Sequence, residues 1–210
     1  MNYACRYPAA ARTLYEALAE DDFYRTLAAA ASDDPEAAQE AMIRYLDYSM
    51  IEAEEYGQLV LPADPSSGAA IWNKPLDPAI LQTLSAQKKA FIAEHMGERC
   101  CQVYTAMTGF MHQHTMTVVD AGSWYLSIIG ISPELQGRGI GRELMRAVLE
   151  QTDRAGIATF LETFTPASES FYQRHGYVTR ARFLEPETRA RYAVMQREPA
   201  RGARRIRPAG

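Results

Sequence analysis

The sequence predicts an α/β (α+β) fold, a sheet flanked by helices with a helix-rich N-terminal half. Three observations predict it. Between Ala9 and His114 most segments are rich in Ala, Leu, Glu and Arg with apolar residues at helical spacing. Trp124–Ile131 is apolar on both faces and rich in β-formers, as in a strand of a covered sheet, and it runs through Ser132-Pro133 into a glycine-rich loop and a helix. From there onward the segments follow in the order β-α-β-α-β-β.

The N-terminal half reads as four helices and a hairpin. Ala9–Leu27 and Pro35–Tyr56 are the first two helices. Asp33 or Asp34 caps the second, Pro35 stands near its first position, and Ala38, Met42, Tyr45 and Ser49 share a face. Gln58–Leu61 and Ala69–Trp72 read as hairpin strands around Asp64-Pro65-Ser66-Ser67-Gly68. Asp77–His95 and Gly97–His114 are helical again, the latter with Val103, Met107, Phe110 and His114 on one face. In the second half a helix carries Ile140, Leu144 and Val148 on one face and ends near Ala155-Gly156. Thr159–Phe164 is a strand and Ser168–Arg174 a short helix closed by Gly176. Tyr177–Leu184 and Arg191–Gln196 then pair around Glu185-Pro186-Glu187.

Composition bounds the function. With 210 residues, 47% of them hydrophobic, the chain can bury one sizeable core. A net charge of −4 with 23% charged residues disfavours nucleic acid and anionic membrane as partners, since both need a concentrated basic face. No apolar run approaches the roughly 18 residues of a membrane span, and the first residues lack the apolar core of a secretory signal, so a cytoplasmic location is expected. Cys5, Cys100 and Cys101 read as free thiols, and their spacing suits no zinc site, so no metal is expected. The Arg-rich residues 198–210 read as a disordered basic tail.

The chemistry is concentrated in Gln136-Gly137-Arg138-Gly139-Ile140-Gly141. A strand, a glycine-rich loop and a helix N-terminus together present unpaired N–H groups at the positive end of a helix dipole, a nest for phosphate. Gly137, Gly139 and Gly141 let a diphosphate approach the backbone, while Gln136 and Arg138 add donors. Competing motifs fail. A Walker loop needs Gly-Lys-Ser/Thr where this one has Gly141-Arg142-Glu143, and a dinucleotide fingerprint needs glycine at Arg142.

With Gln136, Gly139 and Gly141 in the pattern Gln/Arg-x-x-Gly-x-Gly/Ala directly after a strand, the segment resembles the GNAT superfamily of N-acetyltransferases. Phe160-Leu161-Glu162-Thr163 resembles that family's second strand, and Phe171-Tyr172-Gln173-Arg174-His175-Gly176-Tyr177 its Phe-Tyr-Glu-Arg-x-Gly-Phe block; the resemblance spans about Trp124 to Gln196. Within the superfamily the chain is most similar to the puromycin N-acetyltransferase-like group, except that Ser168 stands where that group usually has Asn, a contact to the coenzyme or a support for the loop.

The resemblance implies a single domain over 1–197, with 9–120 as the acceptor-side half and 121–197 as the acetyl-CoA-binding core. The sheet it implies is mixed, mostly antiparallel and twisted, with a splayed central strand pair. Acetyl-CoA is the implied co-substrate and a small-molecule primary amine the implied acceptor, with direct transfer between them; a monomer or homodimer is expected. Gly130 is the candidate strand defect behind the splay, and the backbone of Ile129, Gly130 and Ile131 is expected to pair with pantetheine. Ile140 belongs to the coenzyme loop. Tyr172 is the candidate acid for the leaving thiolate and Glu162 the candidate base, desolvated beside Phe160 and Phe164; His112 and His114 are alternative bases. Aromatic and acidic residues of the first half (Tyr45, Tyr48, Glu52, Glu55, Tyr56, Trp72) are candidates for the acceptor pocket. Transfer to a protein or peptide amine, and acyl-CoA sensing without turnover, stay open as alternatives.

Overall fold

Proline and aspartate start most of the helices. In the computed structural model, which describes residues 3–200, the order is α1 Pro8–Ala17, α2 Asp22–Ala31, α3 Pro35–Tyr56, β1 Gln58–Val60, β2 Gly68–Asn73, α4 Pro78–Met96 and α5 Glu98–Thr115. There follow β3 Trp124–Ile131, α6 Ile140–Ala155, β4 Thr159–Thr163, α7 Pro166–Arg174, β5 Val178–Leu184 and β6 Arg191–Arg197. Asp34 caps α3 by accepting the Ala37 N–H, and Asp77 caps α4 through Ala79.

The predicted helix over Ala9–Leu27 is two helices. α1 ends at Ala17, and Asp21 accepts the Phe23 N–H at 3.0 Å to cap a new helix, which runs on to Ala31. A short acid at an N-cap position satisfies an orphan N–H, so Glu20-Asp21-Asp22 reads as a helix start once the chain has to turn. The face of α5 is also offset from the predicted one: Cys100, Met107, Met111 and Thr115 are buried, and Val103, Phe110 and His114 flank them.

Six strands form one sheet in the order β1-β2-β3-β4-β6-β5. β3 and β4 are its parallel pair; the other neighbours run antiparallel. α6 and α7 cover one face, where Leu144, Val148 and Tyr172 pack on Trp72, Leu126, Leu161 and Met195. α1 and α3 cover the other at β2 and β3, and Met111 of α5 packs there with Phe164, Tyr192 and Val194. Asp153 at the end of α6 receives Arg197 of β6 in a two-pronged ion pair at 2.6 and 2.7 Å. Asp153 also accepts the Ala200 N–H at 2.8 Å, and Glu198 receives Arg180 at 2.8 Å, so residues 198–200 of the predicted tail are anchored. The rest of that tail, 201–210, lies outside the described residues.

β3 and β4 pair only through Trp124↔Thr159, Tyr125↔Phe160 and Leu126↔Leu161, although β3 continues to Ile131. Beyond Leu126 β3 stays with β2 while β4 stays with β6, and the central pair splays. The defect lies at Ser127, not at Gly130. Ile71 pairs with Ile128 and Trp72 with Leu126, which leaves Ser127 as an extra residue in β3. The bulge reverses the strand's alternation: Trp124 and Leu126 face α6, Ile128 faces α1 and α3, and Ile129 and Ile131 face α6 again. That reversal is why the strand reads as apolar on both sides.

Gly130 serves close packing. A Cβ there would lie 2.8 Å from Leu14 Cδ2 and 3.0 Å from Ala17 Cβ, so α1 sits directly on the strand. Gly130→Val should destabilise the fold by about 1–3 kcal/mol through overpacking, with Gly130→Ala milder; thermal melts of the two variants check this ordering.

Candidate active site

The open edge of β3 is one wall of a cleft of about 1410 Å³ that runs between the splayed strands. It connects the two faces of the sheet. On the α6–α7 side it is lined by residues 135–142, Ser168 and Tyr172; on the α1–α5 side by Tyr24, Tyr45, Tyr104, Tyr125 and Glu162. At this size it can hold more than one small ligand. Every predicted coenzyme residue lines it: Ile129, Gly130, Ile131, Gln136, Gly137, Arg138, Gly139, Ile140, Gly141 and Ser168.

The loop has the geometry of a nest. Gly137 (φ 79°) and Gly139 (φ 88°) are left-handed, and Gly139 is the N-cap of α6 without a side-chain cap. The first N–H of the segment to find an acceptor is that of Glu143, on Gly139 O at 3.1 Å; those of Gly137 through Arg142 have none among the described residues. They stand at the positive end of a 16-residue helix, where an anion is favoured. Gly141 has a different role: a Cβ there would meet Ile131 Cδ1 and Phe171 Cζ, each at 3.1 Å, so its bareness lets α6 start against β3 and α7.

Tyr172, on α7, is 8% exposed and packs against Phe171 and Tyr177 with ring centroids 5.3 and 6.2 Å away. Its hydroxyl has no hydrogen-bond partner among the described residues. Burial, with the Asp21 charge second, raises its pKa well above the usual tyrosine value, so the phenol keeps its proton at neutral pH.

Glu162, on β4, faces away from α6, as alternation from Phe160 and Phe164 predicts. It accepts a hydrogen bond from Tyr125 Oη at 2.8 Å and another from Thr115 Oγ1 at the end of α5. No cation pairs with it among the described residues. Burial raises its pKa, and the two donors, which favour the anion, only partly offset that. A carboxylate tuned upward, held by two hydroxyls and open to a cleft is suited to taking a proton.

The remaining sequence candidates divide. His112 lies on the exposed rim of the cleft, whereas His114 stacks on Phe110 at 4.0 Å and is not in the lining. Tyr45 and Glu52 line the cleft, while Trp72 is fully buried in the α6-side core, Tyr48 stacks on Phe91 at 4.1 Å, and Glu55 and Tyr56 lie off the cleft. The lining residues missed include Asp21, Tyr24, Lys88, Tyr104, Thr115 and Tyr125. Asp21 had a signal in its helix cap. Lys88 had one too, since it stands on the buried face of α4 with Phe91, Ile92 and Met96. Among the described residues no group of three or more His, Cys, Asp or Glu side chains is arranged to hold a metal, and no helix is long and apolar enough to cross a membrane.

A phosphate nest, an open strand edge and a desolvated carboxylate along one cleft define a site for passing a group from a phosphate-bearing donor to an acceptor. Residues 86–179 match the profile of the acetyltransferase (GNAT) domain. An uncharacterised N-acetyltransferase of Schizosaccharomyces pombe is 32% identical over 59 residues, 28% of this chain and 24% of that protein, so the match spans about a quarter of that relative's length. Two solved structures share the fold over nearly the whole chain. One, titled as a histone acetyltransferase HPA2 and related acetyltransferase, is from Corynebacterium glutamicum (TM-score 0.58, 18% identity, 93% of this chain and 92% of that one). The other is arylalkylamine N-acetyltransferase 2 from Aedes aegypti (TM-score 0.52, 11% identity, 94% and 98%). Residues 86–179 are thus similar to the acetyltransferase (GNAT) domain, and the likeness of fold extends over nearly the whole chain.

Proposed function

We propose that the protein is an acetyl-CoA-dependent N-acetyltransferase that moves the acetyl group directly onto the primary amine of a small molecule. The observation that carries this reading is the continuous cleft, whose lining joins the nest, Tyr172 of α7 and, across the splayed strands, Glu162 of β4.

In this reading the N–H groups of Gly137–Arg142 hold the pyrophosphate, and the unpaired edge of Ile129–Ile131 pairs with pantetheine. An alkylammonium with a pKa near 10 must lose a proton before it attacks, at a cost of about 4 kcal/mol at neutral pH, and Glu162 takes that proton. The amine nitrogen bonds to the thioester carbonyl carbon and the carbon–sulfur bond breaks. Tyr172 gives its proton to the departing sulfur. The second proton leaves the nitrogen as the amide forms and restores the phenol through solvent, so one proton is released per acetyl transferred. Helices α1 to α5 crowd the acceptor end with side chains, which favours a compact amine over a chain in an open groove.

The test is thiol release from acetyl-CoA with a broad panel of amines and with peptides. Thiol release with small amines supports the reading. Release with peptide N-termini or protein lysines alone would replace the acceptor class, and coenzyme binding without release for any acceptor would replace the enzyme by a sensor.

A further inference from the structure

Behind Glu162 the cleft continues into an arm walled by α2, α3, α4 and α5, and the coenzyme residues play no part in it. Tyr24, Tyr45 and Tyr104 line this arm. Their hydroxyls have no hydrogen-bond partner among the described residues, and none is sealed off from the open volume. Tyr45 is only 5% exposed, so its polar atom faces the arm while its ring is in the core. Tyr45 and Tyr104 meet edge to face with centroids 6.1 Å apart. Burial raises the pKa of all three phenols, and neighbouring groups add to it: Tyr104, Tyr24 and Glu52 at Tyr45, Asp21 and Tyr104 at Tyr24, and Glu52 at Tyr104. They stay neutral, able to donate and to accept.

The far end of the arm holds an ion pair whose lysine is buried and whose glutamate is partly exposed. Lys88, 7% exposed, donates to Glu52 Oε2 at 2.8 Å and to Ser49 Oγ at 2.9 Å, and its ammonium stands 4.8 and 5.3 Å from the ring centres of Tyr48 and Tyr45. Burial lowers its pKa and Glu52 pushes it back up. Lys88 therefore cancels the carboxylate at the back of the arm, which could otherwise have attracted a second cation. The charged groups facing the arm are Glu162 and Asp21 near the transfer point and the Lys88–Glu52 pair at the back.

We infer that the acceptor is a compact monoamine whose body carries neutral hydrogen-bonding groups, with its amine at Glu162, its hydroxyls or carbonyls on Tyr24, Tyr45 and Tyr104, and diamines discriminated against by Lys88. This deepens the N-acetyltransferase reading above and rests on it. The physical reason is solvation. A phenol left without a partner gains from a ligand hydroxyl, whereas a distal ammonium would lose its hydration beside a pair of zero net charge.

The test compares cyclohexylamine, 4-aminocyclohexanol and 1,4-diaminocyclohexane by kcat/KM for thiol release at saturating acetyl-CoA. The amino alcohol should exceed the bare amine, and the diamine should be the poorest per amine group. In Lys88→Met the carboxylate of Glu52 loses its partner, and the ratio of diamine to amino alcohol should rise by about tenfold or more, the scale of a 1.4 kcal/mol difference. Breaking a pair whose lysine is buried threatens folding. Tyr104→Phe therefore serves as the mild variant, expected to erase most of the preference for the amino alcohol and leave the KM for acetyl-CoA unchanged. A wild type that prefers the diamine, or a preference unmoved in both variants, overturns the inference while the N-acetyltransferase reading stands. No thiol release with any amine or peptide overturns the reading beneath it.

Discussion

Tyr172→Phe is expected to lower kcat by about 10²-fold while the KM for acetyl-CoA changes little, because the variant removes one proton and almost nothing else. The ring stays against Phe171 and Tyr177, and the hydroxyl has no protein partner to strand, so thermal stability should be close to wild type. The leaving group is an alkyl thiolate with a free pKa near 8.5, and departure into a desolvated cleft makes its protonation more urgent. Burial and the nearby Asp21 charge hold the phenol protonated across the neutral range, so the acid is loaded before each turnover. A loss that falls mainly on kcat marks an interaction made in the transition state; a loss confined to KM would assign Tyr172 to binding, and wild-type turnover would remove it from the reaction.

The two halves of this site differ in how much local sequence reveals. The proposed coenzyme half is built from contiguous segments, and each states its own conformation: β-formers in Trp124–Ile131, glycines at the left-handed positions 137 and 139, and the Ile140–Val148 period of α6. Strand alternation was likewise enough to orient Glu162 with Phe160 and Phe164. The bulge was misplaced because a register shift belongs to a pair of strands. Ser127 is extra only with respect to Ile71 and Trp72 of β2, and nothing in 124–131 by itself distinguishes it from Gly130. Gly130 carried a true signal of close approach, and its cause, Leu14 and Ala17, lies more than a hundred residues earlier.

The proposed acceptor half is assembled from α2, α3, α4 and α5, so its membership is a matter of which face of each helix turns inward. Tyr45 and Trp72 look equally plausible in sequence, yet Tyr45 lines the cleft and Trp72 lies beneath α6. Lys88 was legible in principle, as a lone cation on the buried face of α4. Glu52 looked like an anchor for a cation until that lysine was brought to it across 36 positions. The partners of Glu162 show the same limit, since Thr115 and Tyr125 come from α5 and β3 and meet on β4 only in the fold.

Glu162→Gln should lower kcat/KM for the amine by about 10²-fold at neutral pH and also change the shape of its pH profile. The sign follows from the role: a base works deprotonated, so wild-type kcat/KM should rise with pH as Glu162 ionises. Burial raises that group's pKa, which places the limb above the ordinary carboxylate range, and the hydroxyls of Thr115 and Tyr125, which favour the anion, hold it from moving further. The glutamine fits the same space, one hydroxyl still donating to its Oε1 while the other turns to accept from its Nε2–H, so the fold should tolerate it. Above the pKa of the amine the substrate arrives deprotonated, and the difference between variant and wild type should shrink. The measurement is kcat/KM from pH 5 to 10 for both proteins with one monoamine. A profile that keeps its acidic limb in Glu162→Gln would move the base to another group, with His112 on the cleft rim the next to replace. A profile that loses the limb and regains rate only at high pH would give Glu162 the proton, and with it would explain why β4 turns a carboxylate toward Phe160 and Phe164 instead of leaving that face apolar.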